Sequence, residues 1–159
     1  MGNAVVYYSW TGNTEAAALE ISDALGAAAV KLCEEKQRGS FIGSACSAIA
    51  GRRSKLRPFS LPGGTDGIFL GTPVWASHCT PAVNAFIEKT DFTGKKVFLF
   101  FTLASREAPE KLVSSMKCRI EKNGGSVCGC VSFQTKKGGD TGCRDLRGRA
   151  RQWAESLSL

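Results

Sequence analysis

Five short runs rich in β-branched and aromatic residues, separated by stretches whose apolar residues recur at helical spacing, leave this chain few architectures. The runs are Ala4 to Tyr8, Ala29 to Leu32, Gly67 to Thr72, Lys96 to Thr102 and Ser126 to Phe133. Strands that alternate with helices read as parallel strands joined by crossover helices. The third and fourth runs are apolar almost throughout, as strands covered on both faces must be, so they belong at the centre of the sheet. The helices carry their own punctuation. Asn13 to Leu25 places Ala17, Ala18, Ile21 and Leu25 on one face and stops at Gly26. Thr80 is positioned to cap a second helix with Pro81 in its first turn and Val83, Phe86 and Ile87 inward. A third starts near Pro109, presents Leu112, Val113, Met116 and Ile120, and ends at Gly124-Gly125. The last, from about Thr141, presents Leu146, Ala150, Trp153 and Leu157.

The 159 residues suffice for one domain spanning 1–159. With 43% hydrophobic and 22% charged residues the chain is too apolar to be disordered. The apolar run Val97 to Phe101 falls far short of the roughly 20 residues that a membrane span needs, so none is expected. Seven Cys, an odd number without repeated spacing, and a Met1 that runs almost directly into the first strand pattern point to reduced thiols, no leader and a cytoplasmic location. Gly2 does not open a myristoylation motif, because Val6 stands where Ser or Thr is required.

The charge is uneven. Lys and Arg number 21 against 14 acidic residues, a balance of +7. From Lys31 to Pro58 there are seven basic residues and two Glu; from Lys136 to Arg151, six basic residues and two Asp. The first stretch lies in an irregular insertion, Cys33 to Gly64, expected to hold a short helix from Ser40 to Ala50 before the run Arg52 to Arg57. Such stretches are either solvated faces or docking surfaces for anionic partners.

After the first strand comes Ser9-Trp10-Thr11-Gly12-Asn13-Thr14, leading straight into the first helix. A helix N-terminus has unpaired N–H groups and a partial positive charge, so its amides and nearby hydroxyls hold a phosphate without a cationic side chain. No two glycines are two residues apart and no Lys follows the turn, which excludes the dinucleotide fingerprint and the P-loop. An ordinary helix cap is the competing reading.

The loop Ser9 to Thr14 resembles the FMN-phosphate loop of the flavodoxins, [S/T]-x-T-G-x-T after the first strand. Gly71-Thr72-Pro73-Val74-Trp75 is similar to the flavodoxin loop that lays an aromatic ring on the flavin, and the stretch Ala76 to Phe86 also resembles members of the wider superfamily. The resemblance implies an α/β three-layer sandwich, a five-stranded parallel sheet in order 2-1-3-4-5, and FMN as cofactor. It implies cofactor contacts from Ser9, Trp10, Thr11, Gly12, Asn13 and Thr14; from Thr72, Pro73, Val74, Trp75, Ala76 and Ser77; and from Thr102, Leu103, Ala104, Ser105 and Arg106. Trp75 is the expected stacking residue, with a core indole under the loop as the alternative; Trp10 points either outward or toward the ribityl chain. These loops follow strand ends, where open parallel sheets bind ligands.

The chain also departs from the family. Ala76-Ser77 replace the glycine that eases a peptide flip beside the flavin, and positive φ at such residues costs on the order of 1 kcal/mol. The third loop lacks an outer aromatic. Arg106 would favour a reduced anionic flavin if it reached the ring; otherwise it faces solvent. Cys128-Gly129-Cys130 is expected to pack as buried residues, without metal-knuckle spacing. Cys79 is either packed and inert or made reactive by the helix that follows. His78 is either a surface residue or a proton donor. No catalytic constellation and no metal site is expected.

The sequence thus points to an FMN-binding electron-transfer protein whose basic segments meet a protein redox partner with an acidic docking surface, nucleic acid being disfavoured. The alternatives are an FMN-dependent NAD(P)H:quinone-type reductase and a flavin-free binding module.

Overall fold

The computed structural model describes residues 2–36, 50, 53–135 and 143–157. Among them, strands β1 (Gly2–Tyr7), β2 (Ala28–Lys31), β3 (Thr65–Pro73), β4 (Lys96–Leu103) and β5 (Ser126–Gln134) alternate with helices α1 (Asn13–Leu25), α2 (Pro81–Lys89), α3 (Glu110–Lys122) and α4 (Cys143–Ser156). Every strand pairs in parallel, in the order β2-β1-β3-β4-β5, as expected. Arg52, the segment 136–142 and, Ala50 apart, the helix expected from Ser40 lie outside the described residues.

The pleat of the central strands divides the core in two. Val97, Leu99, Phe101 and Leu103 of β4 join Phe86 of α2 and Leu112, Met116 and Ile120 of α3 on one face. Phe98 and Phe100 join Ala17 and Ile21 of α1 and Leu146 and Ala150 of α4 on the other. There Phe69 stacks on Phe98, centroids 4.8 Å apart, while Trp153 meets Phe69, Phe100 and Phe133. Gly71 permits this packing, because a Cβ there would lie 2.1 Å from the Phe100 ring. Phe69, Phe86, Phe92, Phe100 and Phe101 are fully buried, each contributing roughly 1.5–3 kcal/mol relative to exposure.

β5 corrects one expectation. Cys128 and Cys130 are exposed, not packed inside. β5 is the edge of the sheet, and a bulge pairs Val97 with Val127 and Phe98 with Gly129, leaving Cys128 as the extra residue. An apolar run at an edge lacks the cover that the same run has in β3 or β4.

Candidate functional site

Three loops meet at the carboxyl ends of β1, β3 and β4. The first begins where Tyr8 N–H bonds Gly71 O at 3.2 Å, tying the end of β1 to β3. Ser9 Oγ accepts the Gly12 N–H at 3.1 Å, and the Gly12 carbonyl accepts from Ala16 at 2.9 Å, starting α1. Gly12 is the N-cap, with φ +95°, and no side chain caps the helix. The first-turn amides therefore keep their donors and the positive end of the helix dipole. Nothing lies within 4 Å of where a Gly12 Cβ would stand, so the approach is open. Ser9, accepting from Gly12, retains its own O–H for an incoming acceptor. Thr11 is exposed, while Gly12 and Asn13 are half-buried.

Thr14 has a different part. It is 1% exposed, and its hydroxyl lies 2.7 Å from that of buried Thr102, at the end of β4. This bond fixes the first loop to the third. Glu15 would set a negative charge in the first turn of α1, but Lys31 holds its carboxylate at 2.9 and 3.0 Å and Tyr7 donates to it at 3.1 Å. The Lys31 bond leads the effects that keep this carboxyl below its usual range. The loop itself carries no cation.

In the second loop Thr72 donates to Pro73 O at 2.9 Å, and its hydroxyl lies 3.2 Å from that of Thr80. Thr80 holds the cap position of α2, with Pro81 in the first turn as expected, but its side chain bonds Thr72 instead of the helix. Val74 N–H reaches Thr102 O at 3.0 Å, joining the second loop to the third. Trp75 and His78 then close a two-residue turn, with N–H to O bonds of 3.0 and 2.8 Å in both directions. Its central residues, Ala76 and Ser77, have φ +46° and +66°. Positive φ at both centres is the mark of a type I′ turn, normally built from Asn and Gly. Ala76, Ser77 and His78 are exposed, and His78 Nδ1 lies 2.6 Å from Ala76 O.

Trp75 is 3% exposed. Tyr8 and Trp10 stand almost perpendicular to it, at 83° and 88°, with centroids 5.8 and 5.9 Å away. The indole thus lies beneath the loop, and half-buried Trp10 covers it from the first loop. In the third loop Thr102 and Leu103 are buried, whereas Ala104, Ser105 and Arg106 are exposed. Arg106 makes no ion pair among the described residues.

Cys79 is buried, and burial pushes its thiol up to about 12, outweighing Arg119, Thr72 and the Thr80 backbone, which all act the other way. Burial favours the packed, inert reading: a thiol covered by core residues loses more by desolvation than a helix terminus returns. Sequence reasoning missed buried Asn84. Its Oδ1 accepts from Arg119 Nη1 at 2.6 Å and its carbonyl from Nη2 at 3.1 Å. The two residues stand 35 positions apart, on different helices, and no local pattern pairs them. Buried Glu34 was also missed; it accepts from Tyr8 at 3.0 Å and from Ser54.

The comparisons with known proteins agree with this architecture. The family model described as flavodoxin matches residues 45–132, more than half of the chain. The chain belongs to the flavodoxin family. A solved protein of Bacteroides eggerthii DSM 20697 superposes on this flavodoxin with a TM-score of 0.77 at 19% identity, covering 99% of this chain and 98% of its own. A flavoprotein of Lactobacillus acidophilus NCFM, solved in complex with FMN, gives 0.70 at 19% over 82% of this chain and 92% of its own. Two-electron reduced Megasphaera elsdenii flavodoxin gives 0.56 at 25% over 94% and 98%. No curated protein matches by sequence.

Proposed function

We propose that this flavodoxin works as a single FMN-binding domain that carries electrons between protein partners. FMN is supported by membership of the family and by the Lactobacillus flavoprotein solved with it. The observation that carries the reading is the uncapped N-terminus of α1 behind Gly12, with open space in front of it and hydroxyls at Ser9 and Thr11. This donor set fits a phosphate. Ser9, Thr11 and the first-turn amides of α1 from Asn13 would hold it, while Thr14 would position the loop through Thr102. When bound, FMN supplies the redox chemistry. Residues 72–77 and 102–106 would flank the ring, and Trp75 would stack on it once Trp10 moves aside.

Charge supports a protein partner of opposite sign. Lys55 and Arg57 are exposed, and Arg57 lines a cavity of about 350 Å³ together with Ser9 and Trp10, beside the first loop. The last helix contributes less, because Arg151 pairs with Glu20 and Asp23 of α1. An acidic redox partner docking over Arg53 to Arg57 follows, and electron transfer that slows steeply with added salt would test it. Among the described residues no helix is long and apolar enough to cross a membrane, and the exposed thiols Cys33, Cys118, Cys128 and Cys130 suit a reducing cytoplasm.

The exposed third loop, with no aromatic over it, favours a second reading as an NAD(P)H-dependent reductase, since an open ring face admits a small acceptor. The visible spectrum during stepwise reduction of FMN-loaded protein separates the two. Two resolved one-electron stages support the carrier; direct two-electron bleaching with rapid NAD(P)H oxidation supports the reductase. A protein that takes up no added FMN refutes both.

A further inference from the structure

Between α2, α3 and the turn at Trp75 to His78 lies a cavity of about 410 Å³, whose lining includes Arg53, Ser77, His78, Lys111, Ser115 and Arg119. It shares no lining residue with the loop Ser9 to Thr14. Among the described residues its lining holds no carboxylate. Arg53 is already paired with Glu88 of α2. Among the described residues the other two cations lack such a partner. Lys111 is exposed at the start of α3 and makes no ion pair among the described residues. Arg119 is half-buried, and its guanidinium is held by Asn84 through the two bonds described above, both to neutral oxygens. Asn84 is itself 6% exposed and donates from Nδ2 to Cys79 O at 3.5 Å, so this fork is anchored from the protein interior.

A guanidinium fixed by neutral acceptors keeps its full charge and its remaining N–H donors, already oriented. A half-buried cation such as Arg119, without a carboxylate, is stabilised by an anion that accepts those donors. We propose that this cavity is a binding site for a small oxyanion: the phosphate or carboxylate group of a small molecule, held between Lys111 and Arg119 with the Ser115 hydroxyl as a further donor. A recess of about 410 Å³ takes a small group, whereas an acidic protein surface would meet the exposed Lys55 and Arg57. The ligand would sit against Ser77, so its occupancy would be felt at the strained turn.

The test is residue-resolved titration of amide NMR signals in the FMN-loaded protein, where the first loop is filled. Inorganic phosphate is the first probe and succinate the second. Saturable shifts at Ser77, His78, Lys111 and Ser115 are expected, weakened about tenfold by Lys111→Gln, an exposed substitution that leaves the fold intact. Whichever probe binds more tightly assigns the natural group as phosphate or carboxylate. Absence of saturable shifts at these residues with both probes overturns the proposal, and so does unchanged affinity in Lys111→Gln. If the chain takes up no FMN, the same titration on the free protein reads the cavity and residues 9–14 separately, so the two readings fail independently.

Discussion

The turn that opens α1 and the turn that follows β3 both require backbone at positive φ, and they supply it with different residues. At the first, Gly12 adopts φ +95° without a side chain to resist it, and the open amides behind it are the result. At the second, Ala76 and Ser77 are held at +46° and +66°, each at a cost of roughly 1–2 kcal/mol. The surrounding structure enforces that conformation: the Trp75–His78 bonds close the turn, buried Trp75 anchors one side, and Cys79 with Thr80 anchors the other. The first turn is therefore a relaxed cradle, whereas the second stores strain beside the place where the ring would lie.

Removing the anchor tests this contrast most severely. Trp75→Ala deletes a 3%-exposed indole and is expected to lower unfolding free energy by about 3–5 kcal/mol in urea denaturation; it should also weaken FMN retention. Stability within about 1 kcal/mol of the parent would mean that Trp75 does not anchor the strained turn.

Next in size is the hydroxyl pair that ties the first loop to the third. Thr14→Val leaves Thr102 without its buried partner and should cost about 1–3 kcal/mol, while the double change with Thr102→Val recovers part of that loss. Strict additivity in the denaturation cycle would show that the two hydroxyls do not act as a pair.

Glycine exchanges should move the two turns in opposite directions. Gly12→Ala is expected to destabilise by about 1 kcal/mol and to weaken FMN binding, whereas Ala76→Gly or Ser77→Gly should stabilise by about 0.5–1 kcal/mol, after the entropy cost of glycine. Melting temperatures read both, and equal signs would remove the contrast.

A pH slope tests the anchoring side of the second turn. Cys79 ionises at about 12 in the folded chain against an ordinary value of 9.0. Between these values the folded state binds more protons than the unfolded one, so the contribution is complete below pH 9 and declines as pH rises toward 12. Denaturation across that range should show Cys79→Ala with the shallower slope. Alkylation of native protein should spare Cys79 and label the exposed Cys118, Cys128 and Cys130.

The sheet was legible because the apolar runs of β3 and β4 are long enough to demand cover on both faces. α1 was legible to the residue, Asn13 to Leu25, because its start is marked by a loop of Gly and hydroxyl residues and its stop by Gly26, which adopts φ +57°. Alternation along a strand, by contrast, says nothing about what lies on each side of it, so Cys128 and Cys130 read as core although β5 is the edge. Cys79 illustrates the same difficulty at a helix start. Sequence places it next to an N-terminus, whereas its ionisation follows from the side chains packed around it.

The sequence by itself determined the order of strands and helices, the parallel sheet and the loop Ser9 to Thr14, because periodicity, caps and turn residues act over a few neighbouring positions. Only the tertiary structure decided that Trp75 lies under Trp10 and Tyr8, that Thr14 belongs to Thr102, and that Asn84 holds the Arg119 guanidinium beside a cavity lined, among the described residues, by no carboxylate. These are contacts between residues 65, 88 and 35 positions apart for Trp10–Trp75, Thr14–Thr102 and Asn84–Arg119. Packing and desolvation fix them, and those forces depend on what surrounds a side chain more than on what precedes it in the chain.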